Sequence, residues 1–383
     1  MKKQSYSRRT PDHILHVGKP NIGDRKAFIS RISQALDTKR LTNNGPFVHE
    51  LESQISKKLR VKHCVAVNSG TTALEIAIQT LGMTGEVILP SFTFISTAHA
   101  LQRQGITPVF CDIDPETHNL DPKKVEVLIT ERTSGIIGVH LWGRPCAPEA
   151  LTQIAKKHGL ALLFDAAHAF GCSHKNKMLG TFGNAETLSF HATKFINSAE
   201  GGAIVTQNDE IADKARQIRN LGFIEYDKVI SHGVNGKMNE LCAALGLTNL
   251  ESMDNFIAVN YQNYEQYKNE LSDIPGLSLS KYNSQEKNNW QYIVIIIDKT
   301  IIKVTRDDLV SMLHRHGILA RRYFWPGCHK MEPYRSNNPR TFNQLPATES
   351  IAENILILPT GTGVSPPDIT YICQLLNKTL ANN

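Results

Sequence analysis

Several things are missing from this chain, and each absence narrows the reading. No apolar h-region follows Lys2 and Lys3, so the start does not read as a signal peptide, and no apolar run approaches membrane-spanning length. Cysteine is sparse and unpatterned: the seven residues at 64, 111, 146, 172, 242, 328 and 373 are odd in number and contain no C-x-x-C. This argues against a disulfide framework or a zinc site, and predicts reduced core thiols in a cytoplasmic protein. Neither G-x-x-x-x-G-K-[ST] nor G-x-G-x-x-G occurs, so the two common nucleotide loops are absent. A nicotinamide-dependent sugar oxidoreductase would suit the strand pattern, but it lacks its fingerprint. No sign of charge dominates: 42 basic and 36 acidic residues leave a net +6, spread along the chain. The basic cluster MKKQSYSRR at residues 1–9 has no aromatic or structured support, so it reads as a solvated terminus and not as a nucleic-acid arm.

What is present is an alternation of short β-branched runs with helical stretches. CVAVN (64–68), EVILP (86–90), TPVFCDID (107–114), GIIGVHL (135–141), LALLFD (160–165), TLSF (187–190) and GAIVT (202–206) read as strands. TTALEIAIQTLG (71–82) and residues 148–158 read as helices between them. Continuous apolar runs separated by helices predict an α/β protein with a mostly parallel sheet buried on both faces. Such sheets carry their ligand site at the carboxyl ends of the strands. After residue 207 the character changes. Residues 239–271 form one long helical region, two helices or one bent helix, followed by a strand at 290–297 and helices near 306–316 and 367–381. Residues 1–250, with an N-terminal segment 1–30, read as a large domain, and 251–383 as a smaller α+β domain.

Four stretches at strand ends carry chemistry. NSGTTAL (68–74) places Ser69, Gly70, Thr71 and Thr72 at a strand-to-helix junction, either as a plain Ser/Thr N-cap or as a phosphate cradle at a helix N-terminus. PSFTFISTAHA (90–100) offers Phe92 and Phe94, as core residues or as a plate for a flat ring. LLFDAAHAFG (162–171) ends an apolar strand on Asp165, a carboxylate that is costly to bury without a cation, unless it serves as an N-cap. His168 lies three residues on. SFHATKFINSAEGGAIVT (189–206) holds a single lysine, Lys194, in a connection that ends in a Gly-Gly pair. A lysine attacks carbonyls only when partly neutral, which requires burial or a cationic neighbour. Together, a phosphate cradle, an aromatic plate, a carboxylate seeking a cation and a lysine able to condense with an aldehyde are the fittings for pyridoxal phosphate.

With LTNNGPFVHELE (41–52), VILPSFTFISTAHA and NGKMNELCAALGL (235–247), these motifs make the chain similar to the DegT-type family of sugar-nucleotide aminotransferases, over roughly residues 15 to 380. The resemblance implies the type I fold of pyridoxal-phosphate-dependent transferases. It implies that Lys194 holds the cofactor aldehyde, that Asp165 faces the pyridine nitrogen, and that His168 lies next to the ring. Phe94 is implied to stack on the ring, and Gly70, Thr71, Thr72 and Ser189 to contact the phosphate. Asn235 is implied to reach the phosphate bound by the other subunit of a homodimer with shared sites. Related dehydratases on this fold carry histidine at the lysine position, so Lys194 argues for transamination.

GVHLWGRPC (138–146), NNWQYIVIIID (288–298) and RRYFWPGCHKMEPYR (321–335) resemble those members that make dTDP-4-amino-4,6-dideoxyglucose (viosamine) from the 4-keto sugar for O-antigen or other glycoconjugates. L-Glutamate is the implied donor. A 3-aminotransferase shares most of these motifs, and a non-catalytic regulator that retains the cofactor site is the rival from another class. Asn44, Lys237, Arg322, Tyr323 and His329 are expected at the substrate, with Arg321 and Lys330 as further cations near a diphosphate; the alternatives are that the arginines are surface charges and that NNGP near residue 43 is a turn. No metal site is expected.

Overall fold

The computed structural model describes residues 14–337 and 345–381. The basic cluster at residues 1–9 lies outside them. Seven strands form the main sheet in the order His63–Val67, Gly202–Thr206, Ala185–Ser189, Ala161–Asp165, Thr133–Val139, Glu86–Pro90, Thr107–Cys111. All neighbours run parallel except Gly202–Thr206, which is antiparallel to both of its partners. The reason is local. A parallel return needs a long crossover, usually helical, but residues 190–201 turn straight back. Phe190 N–H donates to the Gly201 carbonyl and Ser198 N–H to the Phe190 carbonyl, both at 2.8 Å, which pinches this connection shut. Lys194 sits inside it.

The strands are largely apolar and mostly buried, because helices cover both faces of the sheet. Gly70–Thr80 buries Ala73, Leu74, Ile76, Ala77 and Ile78 against the sheet. Two expected strands are shortened by three residues, one at its end and one at its start, each for a visible reason. Residues 107–114 leave the ladder after Cys111, because the Asp112 carboxylate instead accepts hydrogen bonds from the Ala347 and Thr348 N–H groups. Residues 290–297 enter theirs only at Ile293, because Trp290 has φ 54° and breaks the extended run. The helical region at 239–271 is two helices, Glu240–Glu251 and Met253–Leu271. The second packs with Arg306–Arg315 and Pro366–Ala381 around an antiparallel sheet of Leu277–Leu279, Ile293–Ile297 and Ile355–Leu358. Among the described residues no helix is long and apolar enough to cross a membrane.

The N-terminal segment runs as a strap between these parts. Leu15–His16 pairs in parallel with Ile318–Leu319, and Leu15 is buried in the C-terminal core. Gly18, at φ 75°, lies directly on Thr193; a Cβ there would stand 2.8 Å from the threonine Cβ. Asn21 is buried and serves two partners. Its Nδ2 donates to the Phe195 carbonyl at 3.1 Å, and its Oδ1 accepts from the Thr362 N–H and hydroxyl at 3.0 and 2.8 Å. The lysine connection is thus tied to the C-terminal unit through one side chain. Asn21→Ala orphans these groups and is expected to cost about 2–4 kcal/mol in chemical denaturation. A change below about 0.5 kcal/mol would show that the strap carries no stability.

Candidate active site

The carboxyl ends of the main strands converge on a cavity of about 340 Å³. Strand Ala161–Asp165 brings Asp165 to its floor, and the following turn brings His168. Strand Ala185–Ser189 supplies Thr187 and Ser189, and the pinched connection supplies Lys194. Ser69, Gly70 and Thr71 form one wall at the start of the Gly70–Thr80 helix. Tyr292, Arg321, Tyr323 and Phe324 close the cavity from the C-terminal side. A wider, more open groove of about 990 Å³ lies between Met253–Leu271 and residues 277–290, but contains neither Asp165 nor Lys194.

Burial governs the electrostatics. Asp165 Oδ2 accepts from the Thr97 hydroxyl at 2.9 Å and Oδ1 from the Ala167 N–H at 3.0 Å. Desolvation nonetheless raises its pKa, opposed by these two bonds and by the charges of Lys194 and His140. Lys194 is half-buried and lines the cavity. Desolvation lowers its amine from 10.5 to about 8, against the pull of Asp165. His168 is neutral, held well below its ordinary pKa by burial and by the lysine charge. Its Nδ1 faces the Trp142 N–H at 3.4 Å, and its ring stacks against Trp142.

The cavity suits a flat ring carrying a phosphate. Ser69 is indeed an N-cap, since its hydroxyl accepts the Thr72 N–H at 3.0 Å. That leaves the first-turn N–H groups of Gly70 and Thr71, which a helix cannot satisfy internally, at the cavity wall. A Cβ on Gly70 would meet the Ser189 Cβ at 2.9 Å, so glycine is what lets the two walls approach. Thr187 Oγ1 is buried with no hydrogen-bond partner among the described residues. Phe94 lines the cavity with 56% of its surface exposed, as a plate with one free face, whereas Phe92 is a core residue.

Most of the expected site residues fall into three groups. Gly70, Thr71, Phe94, Asp165, His168, Ser189, Lys194 and Tyr323 come together around the cavity. Thr72 stands behind the wall, with its hydroxyl 2.9 Å from Ser69 Oγ. Asn44, Asn235 and Lys237 lie away from the cavity of their own chain. Asn44 packs against His49 and Arg219, the Asn235 carbonyl accepts from Asn68, and Lys237 donates to Asn220.

Two residues expected on the substrate side, Arg322 and His329, do not line the cavity. Arg322 pairs with Asp307 at 3.2 Å and lies over Trp325, while its neighbour Arg321 lines the cavity. His329 is buried between Ser91, at 2.6 Å, and Glu349, at 3.4 Å, and so braces the segment without facing the cavity. Lys330 is likewise paired with Glu349. Sequence reading missed Tyr292, whose hydroxyl is 3.3 Å from Lys194 Nζ, and Thr97, which holds Asp165. The usable signal for Tyr292 was the aromatic pair at 290 and 292 heading an apolar strand.

The low amine pKa of Lys194 is also a statement about stability. The folded chain disfavours the ammonium, so below about pH 8 the protein bears the full penalty, which is relieved as pH rises toward 10.5. Cofactor-free Lys194→Met is therefore expected to be more stable than wild type at pH 7, by about 1–3 kcal/mol after discounting for solvent screening. The gap is expected to shrink between pH 8 and 10.5. Denaturation curves showing no gap, or one that widens with pH, would contradict the burial of this amine.

Residues 23–377 match the DegT/DnrJ/EryC1/StrS aminotransferase family. The chain is 36% identical over 364 residues to a dTDP-4-amino-4,6-dideoxy-D-glucose transaminase of Shigella dysenteriae, covering 95% of this chain and 98% of that one. It is 30% identical over 372 residues to a GDP-perosamine synthase of Vibrio cholerae, with 95% and 99% covered. A crystal structure of DesI in the presence of its TDP-sugar product superposes with a TM-score of 0.92 at 43% identity, covering 96% of this chain and 93% of that one. With its fold, its cavity and these likenesses in agreement, the chain belongs to the DegT/DnrJ/EryC1/StrS family and is a sugar aminotransferase that uses pyridoxal phosphate.

Proposed function

We propose that the enzyme moves the amino group of L-glutamate to the 4-keto carbon of dTDP-4-keto-6-deoxy-D-glucose, giving dTDP-4-amino-4,6-dideoxy-D-glucose for a surface glycoconjugate such as O-antigen. The observation that carries the chemistry is Lys194, an amine lowered to about 8 and facing Asp165 in one cavity. The choice of sugar rests on likeness to the Shigella dysenteriae transaminase and to DesI.

Pyridoxal phosphate, when bound, supplies an aldehyde for amine exchange and a cationic ring that withdraws electrons from the reacting carbon. Asp165 would face the ring nitrogen and keep it protonated, since a desolvated carboxylate favours a cationic partner. The N–H groups of Gly70 and Thr71 and the hydroxyls of Thr71 and Ser189 would hold the phosphate. Phe94 and His168 would flank the ring. Lys194 Nζ would take the proton from the glutamate α-carbon and return one to sugar carbon four. The first step needs a neutral amine and the second an ammonium; a pKa near 8 keeps both accessible close to neutral pH. Arg321 lines the cavity over the Tyr323 ring, 5.4 Å from its centroid, and pairs with no carboxylate among the described residues. It would meet an anion there, the donor carboxylate or the nucleotide diphosphate.

We propose further that the enzyme is a homodimer with shared sites. In support, Asn44, Asn235 and Lys237 do not line the cavity of their own chain, and the hairpin of Phe223–Glu225 and Lys228–Val229 exposes Ile224, Tyr226 and Val229. Sedimentation is expected to give twice the chain mass of 42.7 kDa; a monomer would remove this part.

The decisive test is a product assay with pyridoxal phosphate, L-glutamate and dTDP-4-keto-6-deoxy-D-glucose, with the new amine located by NMR. An amine on carbon four supports the proposal. Product only from the 3-keto isomer, or only from a GDP-linked 4-keto sugar, would replace the substrate; the likeness to GDP-perosamine synthase motivates that last arm. A cofactor that responds to glutamate while no ketosugar gives product would point to the regulator. Asp165→Asn is expected to slow turnover about a thousandfold, roughly 4 kcal/mol of transition-state stabilisation. A change below threefold would deny Asp165 its place at the ring nitrogen.

A further inference from the structure

Tyr292 lies outside every expectation drawn from the motifs, yet it is the hydrogen-bond partner of Lys194 Nζ, at 3.3 Å. It is brought there by the interrupted strand. Because Trp290 breaks the extended run, Gln291 and Tyr292 stand clear of the ladder that begins at Ile293. The Tyr292 ring packs against His168 at 4.4 Å and Trp142 at 5.1 Å, and its carbonyl accepts the Tyr282 hydroxyl at 3.1 Å. Ring and backbone are both fixed, so the hydroxyl has a defined position. Burial, with Tyr323 and Tyr282 nearby, holds this phenol well above its ordinary pKa, so it remains a neutral O–H.

We infer that Tyr292 is a catalytic residue: its hydroxyl is the resting place of the Lys194 amine whenever that amine is not covalently engaged, and it aims Nζ at the carbon whose proton it takes or returns. The inference rests on the aminotransfer reading above. In any aminotransferase cycle the lysine is released while substrate occupies its place, and a four-carbon side chain that wanders then loses the reacting geometry. The other ionisable groups lining the cavity are Asp165 and His168 from the sheet side, His191 and Glu200 from the lysine connection, and Arg321 and Tyr323 from the C-terminal side. Of these, Asp165 acts on the lysine through charge, and no hydrogen bond from Nζ to any of them is formed. An ammonium donates to the tyrosine oxygen; without that oxygen it would be left buried with one acceptor fewer.

The test is Tyr292→Phe, which keeps the ring and removes the hydroxyl. In cofactor-free protein, cyanate labelling followed at the Lys194 peptide by mass spectrometry gives the titration midpoint of the amine. The midpoint is expected to fall from about 8 toward about 7, because the variant destabilises the ammonium more than the amine. In the loaded enzyme, the absorbance change of bound cofactor on mixing with glutamate is expected to slow at least tenfold, with cofactor affinity within threefold of wild type. Tyr292→Leu, which also removes the ring, is expected to give the same midpoint with a larger loss of thermal stability. An unchanged midpoint in Tyr292→Phe, or a shifted midpoint with a wild-type glutamate rate, would overturn the inference. If wild-type enzyme fails to respond to glutamate, the donor assignment falls instead, and the midpoint alone decides whether Tyr292 holds the amine.

Discussion

The site depends on one electrostatic compromise. Asp165 and Lys194 share a cavity in which desolvation outweighs their mutual attraction, so the carboxylate pKa is raised and the amine pKa lowered. In water such a pair would be an ordinary salt bridge of little consequence. Here neither charge is fully satisfied by the other, and both remain available to a third group. Thr97 and the Ala167 N–H hold the carboxylate without neutralising it, which keeps it a directed acceptor.

Holding that compromise in place needs geometry from two sides. The sheet side arises from connectivity: strand ends collect Asp165, Ser189 and the first turn of Gly70–Thr80 at one edge, and the antiparallel return of Gly202–Thr206 hangs Lys194 over that edge. The other side comes from far along the chain, where Tyr292, Arg321, Tyr323 and Phe324 close the cavity. The strap through Asn21 joins the two, because it bonds to the residue after the lysine and to Thr362. The substrate chemistry proposed above uses both sides at once.

This division explains what was legible in the sequence. Asp165 and Lys194 could be read locally, because a lone ionisable residue ending or interrupting apolar strands is costly wherever it folds. The sheet was legible for a similar reason, since strands buried on both faces advertise themselves as apolar runs. Thr97 was hidden because its partner is 68 residues away and nothing near it in sequence hints at a carboxylate. His329 read as a ligand because its type suits one; only the fold shows Ser91 and Glu349 already occupying both ring nitrogens. The early end of the strand at residues 107–111 and the late start of the one at 293–297 were hidden too, one set by a distant pair of N–H groups and the other by a single left-handed residue.

The two neighbouring arginines have a bearing beyond this chain. Arg321 and Arg322 leave the backbone in different directions, one to the cavity and one to Asp307 and Trp325. Between them they carry one address. An alignment that slips by a single position across this segment would match charge with charge and look satisfactory. It would also hand the cavity cation to the wrong side chain, and a specificity inferred from that column would describe the outer surface of the protein.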